Sequence, residues 1–494
     1  MERVLARGNR RRRDASGPAP DTMDAVSDAL PDHLQVADRM EAGRAARKVA
    51  PRSSHADWDA GAPHRSPVDL VEEQNATRLP WLVPVRHGRM AVSPFTFYRK
   101  AARVMASDLS ATPDCGLTVQ VGGDAHLSNF GTYASPERRL VFDANDFDET
   151  LPGPWEWDVK RLAASVAIAA RHIGADDAAV AAATKGTVTT YRLAMREFSA
   201  VGNLDLFHRH MDIDDIRTAV ESQASAAARK QFDKFEAKAR SHDNLQALRK
   251  LTVEVDGKFR IKSTPPVLLP LREAPIEADV DSLHEAAVLG FSKYLDTLQD
   301  DRRALVERYT PVDVGVKVVG VGSVGTRCLI MLLEGRDRGD PLFLQIKEAD
   351  PSVLEEFLGP SRYPNHGQRV VEGQRITQAV SDVFLGWTDD MILQRHHFYV
   401  RQLRDWKGSF EVDSADVRLL SNYAALCGWT LARGHARSGD AVAISAYLGT
   451  GDQSDTFDRA VTAFCLRYAE RNAEYFDEFT AAISDGRLRA EFGV

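Results

Sequence analysis

At 494 residues the chain exceeds what one ordinary core holds, so two or three domains, or two lobes with a tail, are expected. A formal charge of -8, with 44% hydrophobic and 27% charged residues, excludes a general nucleic-acid surface, and no apolar run reaches the roughly 20 residues that span a bilayer. Four distant cysteines (Cys115, Cys328, Cys427, Cys465) without a CxxC pair argue against a disulfide framework or a cysteine zinc site, which makes a reducing cytoplasm the expected compartment.

Residues 1–65 hold RRRR at 10–13, many Asp, Ala, Pro and Ser, and almost no aromatics, and read as a mostly disordered arm. From Pro67, VDLVEEQ and SPFTFYRKAARVMASDL show helical spacing, with Ser93 and Pro94 as an N-cap and first-turn pair. Arg86, Arg89 and Arg99 are candidates for anion contacts. LTVQV is a strand, GGDAHLSNF a loop, and FGTY and LVFDA form a hairpin across SPERR. Proline and glycine then break the chain before a long amphipathic helix from near Trp155. After a helical stretch at 176–250, a hairpin turns at Asp256-Gly257, and a helix follows at about 281–307. Next, DVGVKVVGVGSVGTRCLIMLLEGRDRGDPLFLQIKEA reads strand, glycine loop, strand, polar turn, strand. Helices at 351–358 and 367–383, a hairpin over DMILQRHHFYVRQLRDWKG, and helices around 414–437 and 454–481 complete the chain, with a frayed end from 484.

Two constellations carry chemistry. Gly320, Gly322 and Gly325 form a GxGxxG string, with Ser323 inside it. A dinucleotide fingerprint would open a helix, whereas TRCLIMLLEG is β-branched, aliphatic and short. A glycine loop between antiparallel strands instead covers a nucleotide's phosphates, and Lys347 in LQIK stands where a phosphate-gripping lysine stands. Such a lysine needs a carboxylate. Glu372 is the first choice, with Glu355 and Glu356 as alternatives. Arg401 is a candidate contact for nucleotide or substrate.

The second constellation is the acidic stretch at 119–149, where Asp124, Asp143, Asp146, Asp148 and Glu149 sit beside apolar or glycine positions, a costly arrangement unless a cation is shared. Asp124 and Asn129 stand five apart, the interval of a base aspartate and a metal-binding asparagine in phosphotransferases. Asp143 and Asp146 compete for a further Mg²⁺ position, and hard oxygen donors suit that ion. His126 reads as a loop-packing or backbone-bonding histidine rather than a metal ligand.

GGDAHLSNFG followed by VFDANDFDE resembles the HGDxHxxN and DFD motifs of aminoglycoside phosphotransferase and choline kinase-like enzymes. PWEWDVKRLA resembles their next helix start, which implies that Asp158 braces the catalytic loop; a departure is Gly122 or Gly123 where those families usually have histidine. From about residue 44 onward the chain is similar to the bacterial domain of unknown function 2252, through GDAHLSNFG, VGVGSVGTR, LQIKEA, FYVRQLRD and HARSGD.

In an ordinary kinase the glycine loop precedes the catalytic aspartate, whereas here it follows by about 200 residues. The resemblance therefore implies an α+β, protein kinase-like two-lobed fold, circularly permuted, with a small antiparallel-sheet N-lobe and a mostly helical C-lobe. Expected boundaries are 66–309 for a C-lobe-like region, 310–408 for the N-lobe-like region and 409–494 for closing helices. A placement of the catalytic loop at His435–Asp440 in ordinary order lacks the later asparagine. The expected activity is ATP- and Mg²⁺-dependent phosphotransfer, with Asp124 as base, Asn129 and Asp143 or Asp146 on Mg²⁺, and Lys347 on phosphates. The acceptor is a small molecule or protein, with neither nucleic acid nor membrane as partner. Adenylyl transfer in the same cleft and an inactive nucleotide-binding scaffold are the alternatives.

Overall fold

The computed structural model describes residues 35–58, 65–223, 226–275, 280–318, 324–389, 396–403, 405–449, 451 and 454–493. It is a mixed α+β structure with antiparallel sheets. Among the described residues no helix is long and apolar enough to cross a membrane.

The acidic stretch lies on a helical layer. Strand β1 (Thr118–Val121) leads into it, and β2 (Phe130–Ala134) and β3 (Leu140–Ala144) form the expected hairpin, Phe130 opposite Ala144. Strand β4 (Leu151–Pro154) returns to pair with β1, while β5 (Met211–Asp212) lies beside β3. Helix Trp155–His172 starts where β4 ends, and all but its last two residues are buried. Helices Asp177–Phe198, Val417–Ser438 and Thr456–Ser484 pack around it, the environment of a helix without a solvent face.

The second unit is a six-stranded sheet. It is preceded by the hairpin β6 (Thr252–Val255) and β7 (Lys258–Ile261), whose turn residues Asp256 and Gly257 take positive φ of 48° and 70°. The sheet comprises β8 (Leu268–Pro270), β9 (Thr310–Lys317), β10 (Cys328–Glu334), β11 (Pro341–Glu348), β12 (Gly386–Asp389) and β13 (His397–Gln402). Its order is β12-β13-β11-β10-β9-β8, antiparallel throughout. Helix His366–Thr377 is inserted between β11 and β12. All eight residues of β11 are buried, with Leu342, Leu344 and Ile346 in one core and Phe343 in another, so that Gln345 and Lys347 continue the Phe343 face.

Several sequence expectations are corrected. The arm contains helix Val36–Val49, docked on the fully buried helix Ala441–Leu448. A Cβ at Gly43 would stand 2.0 Å from the Ala443 carbonyl oxygen, and Arg39 pairs with Asp440 at 2.8 Å. This helix is built by tertiary packing, which local composition does not reveal. Residues 1–34 lie outside the described residues. The helix expected over 93–109 is two, Pro94–Tyr98 and Ala102–Ser110, broken where the Tyr98 carbonyl also accepts from Arg161. The helix at 281–307 is likewise two, Val280–Leu295 and Asp300–Val306.

The hairpin expected over 390–408 begins earlier, with β12 pairing antiparallel to β13, and its latter part is a passage to another sheet. Strand β13 pairs with β11 and β12, and the following β14 (Gly408–Ser409) joins β2; residues 390–395 and Arg404 lie outside the described residues. The sheet unit also reaches back to β8, ahead of the expected boundary at 310. The chain end is packed rather than frayed: Leu488 is buried and the Glu491 N–H donates to Pro84 at 2.8 Å.

Candidate active site

The loop after β1 is held from behind. The N–H groups of Gly122 and Gly123 donate to the two oxygens of Asp158 at 2.7 and 3.0 Å, from the first turn of helix Trp155–His172. His435 Nε2 lies 3.2 Å from the same carboxylate, brought by helix Val417–Ser438. Gly123 has φ +77°, and a Cβ there would meet the Glu149 carbonyl oxygen at 2.4 Å, so no side chain fits. Gly122 has room, with Asp158 3.6 Å from its would-be Cβ.

Three residues after Asp158, on the same helix face, Arg161 donates to Asp124 Oδ1 at 2.7 and 3.1 Å and lies 4.0 Å from the Tyr98 ring centroid. Burial raises the Asp124 pKa, and the Arg161 guanidinium opposes the shift. Asn129 Nδ2 donates to the Asp124 carbonyl at 2.9 Å, closing the loop, with Asp124 Oδ2 at 3.5 Å. His126 bonds backbone: its Nδ1 accepts from the Ser128 N–H at 3.2 Å.

On the hairpin exit the acidic residues part company. Both Asp143 oxygens are taken by Arg433, at 2.6 and 2.7 Å, and both side chains are buried. Asp146 lies 3.9 Å from Lys347, and Asp148 receives Lys347 Nζ at 2.8 Å and the Tyr399 hydroxyl at 2.5 Å. Burial alone would depress the Lys347 ammonium; Asp146 and Asp148 outweigh it and hold the group above its ordinary value. Burial would likewise raise Asp146, but Lys347 and Arg401 keep it below the usual carboxylate range. Arg401 donates to Gln345 at 3.1 Å and to the Asn145 carbonyl at 3.0 Å.

The expected partner of Lys347 is therefore corrected to Asp148. Glu372 pairs with Arg375 at 3.1 Å; Glu355 lies 3.7 Å from Arg369, and Glu356 pairs with Arg65 and Arg103. The reason is the face of helix His366–Thr377 that meets the hairpin. Arg369 and Gly373, four apart, share it. Arg369 donates to the carbonyls of Asp148 and Thr150 at 2.8 and 2.7 Å, and a Cβ at Gly373 would be 2.3 Å from Thr150. Glu372 on this helix is held by Arg375, three residues on.

Gly320, Gly322 and Ser323 lie outside the described residues. Gly325, at φ +94°, turns the chain into β10, and its carbonyl accepts from Leu79 at 2.7 Å. Asp440 caps helix Ala441–Leu448 through the Ala443 N–H at 2.9 Å, a structural position rather than a place beside Lys347.

A cleft of about 1480 Å³ has Asp146, Lys317, Gln345, Lys347 and Arg401 on its walls. A small cavity of about 40 Å³, large enough for an ion or a water, is lined by Asp124, Asn129, Asp143 and Asp146 among others. Among the described residues no group of three or more His, Cys, Asp or Glu could hold a metal. Asn129 and Asp146 instead offer the two-oxygen share that Mg²⁺ takes from protein when phosphates and waters supply the rest. Of the expected ligands Asn129, Asp143 and Asp146, Asp143 has both oxygens on Arg433.

Sequence reasoning missed Arg161, Asp148 as lysine partner, Tyr399 and Arg433. Arg161 was legible as one helical turn beyond Asp158, but Arg433 sits 290 residues from its partner and carried no local signal.

The model of a bacterial family, described as uncharacterized protein conserved in bacteria (DUF2252), matches residues 78–482. No curated protein and no solved structure matches the chain.

Proposed function

The chain belongs to the DUF2252 family, and from that premise and the site geometry we propose that it is an ATP- and Mg²⁺-dependent phosphotransferase on a circularly permuted kinase-like fold. The observation that carries this reading is the meeting of Lys347, on the third strand of an antiparallel sheet, with Asp148 and Asp146 from a hairpin about 200 residues earlier. A lysine on that strand, a helix after it, and an aspartate–asparagine loop beneath is the arrangement by which kinases align a nucleotide.

In this reading Lys347 and Arg401 neutralise nucleotide phosphates in the large cleft, and Asp148 and Tyr399 fix the lysine when the cleft is empty. Asn129 and Asp146 hold Mg²⁺, which supplies charge neutralisation on the phosphate oxygens. Asp124 keeps Oδ2 turned to the acceptor hydroxyl, because Arg161 occupies Oδ1. Asp158 and Arg161 position the loop without touching reactants. Rate acceleration then comes from alignment and fixed charge.

The test pairs calorimetry of a nonhydrolysable ATP analogue, with and without Mg²⁺, with mass spectrometry of products from ATP and candidate acceptors. Analogue binding that requires Mg²⁺, and an added phosphate lost in Asp124→Ala at unchanged analogue affinity, are expected. An added adenylate would replace the phosphoryl reading, and absence of analogue binding at millimolar concentration would end it.

A further inference from the structure

Beside Asp124 stand donor groups that have no partner. Arg99 and Lys100 occupy the turn between helices Pro94–Tyr98 and Ala102–Ser110. Arg99 Nε is buried without a hydrogen-bond partner, its guanidinium 5.7 Å from the Phe95 ring centroid. Lys100 is 9% exposed, and among the described residues its ammonium has neither hydrogen bond nor ion pair. The third such group is His126. Its Nδ1 accepts from Ser128, so the ring proton is on Nε2, and that donor is buried with no acceptor, 3.6 Å from Asp124 Oδ2.

These three groups lie within electrostatic reach of one another and of Asp124. The nearby carboxylates do not satisfy them. Asp124 Oδ1 is bonded to Arg161, and Asp146 answers chiefly to Lys347 and Arg401. Burial first, and the neighbouring Arg99 second, lower the Lys100 pKa to about 7, against the pull of Asp124 and Asp146. Buried donors without acceptors, here Arg99 Nε and His126 Nε2, are costly, and such costs persist where a ligand removes them.

Resting on the phosphotransferase reading, we propose that Arg99, Lys100 and His126 Nε2 form a subsite for an anionic group, a phosphate or carboxylate, carried by the acceptor. The acceptor is thus a hydroxyl compound with its own oxyanion. Lys347 and Arg401 stand on the walls of the large cleft, and none of Arg99, Lys100 and His126 does. The nucleotide thus has its own cations, and we assign this subsite to the acceptor.

The test is calorimetric titration of inorganic phosphate into the full chain already saturated with the ATP analogue and Mg²⁺. Phosphate should bind alongside the analogue, and Lys100→Met and Arg99→Met should each weaken phosphate at least tenfold while changing analogue affinity less than twofold. Without ligand, Lys100→Met should leave the melting temperature unchanged or raise it, because the ammonium has no hydrogen bond or ion pair to lose. Phosphate that competes with the analogue, or variants that lose the analogue equally, would assign these cations to the nucleotide and overturn the proposal. So would a lower melting temperature or failure to fold in Lys100→Met, which would make the lysine structural. Analogue binding by the unaltered chain is read separately, so loss of the phosphotransferase reading is distinguishable from loss of this one.

Discussion

Replacing Arg433 by methionine isolates the part played by Asp143. The two side chains are 2% and 4% exposed and share two contacts at 2.6 and 2.7 Å, so removal of the guanidinium leaves a carboxylate buried without a cation. Breaking a buried pair from one side costs about 3–5 kcal/mol, a fifth or more of the ~5–15 kcal/mol that holds a typical fold. Adding Asp143→Asn removes the stranded charge while keeping an acceptor for the Ala144 N–H at 2.8 Å, and should return most of the loss. Urea unfolding of the two single variants and the double variant gives a coupling free energy, expected at about 2 kcal/mol or more. Calorimetry with the ATP analogue then asks whether Mg²⁺ dependence survives in the double variant, as it should if Asp146 rather than Asp143 ligates the ion. An Arg433→Met cost below about 1 kcal/mol, or loss of Mg²⁺ dependence in the double variant, would refute the reasoning.

Two further outcomes are expected. Burial first, and Lys160 second, hold the buried His55 down to about 3, and its Nε2 lies 2.6 Å from the Tyr447 hydroxyl. The unfolded chain protonates first as pH falls below about 6.5, so stability is lost progressively from there toward pH 3; at pH 5 the loss is about 2 kcal/mol. Melting curves of His55→Gln should show a smaller drop between pH 8 and pH 5 than the unaltered chain, and an equal drop would clear His55 of the effect. Gly123→Ala should abolish analogue binding by forcing the loop off the Glu149 carbonyl, while Gly122→Ala, with 3.6 Å to Asp158, should retain it; equal behaviour in the same calorimetric assay would count against the loop geometry.

Strands and turns were legible where side-chain period and turn chemistry are local: the β2–β3 hairpin, the Asp256-Gly257 turn and the meander β9–β11 all follow from alternation and glycine placement. The loop glycines were legible as a motif, but only the backbone explains why Gly123 admits no side chain. Partner choice was not legible. A helix after Lys347 suggests a glutamate, yet the turn of that helix toward the hairpin is set by the close approach at Gly373, and an arginine arrives instead. Helix Val36–Val49 escaped notice because its cover, the apolar Ala441–Leu448, lies about 400 residues away. Composition reports what a segment can bury alone, and this segment buries nothing alone.

The contacts that close the site join residues 199, 277 and 290 positions apart. At synthesis rates of about 5–20 residues per second, Asp143 waits roughly 15–60 s after translation before Arg433 exists. The acidic hairpin is thus made early and stays solvated, since burying its carboxylate without a cation is unfavourable. Assembly of the centre is tied to near-completion of the chain. A product stopped ahead of residue 433 would carry Asp124, Asn129 and Lys347 and still have no settled place for the hairpin that joins them.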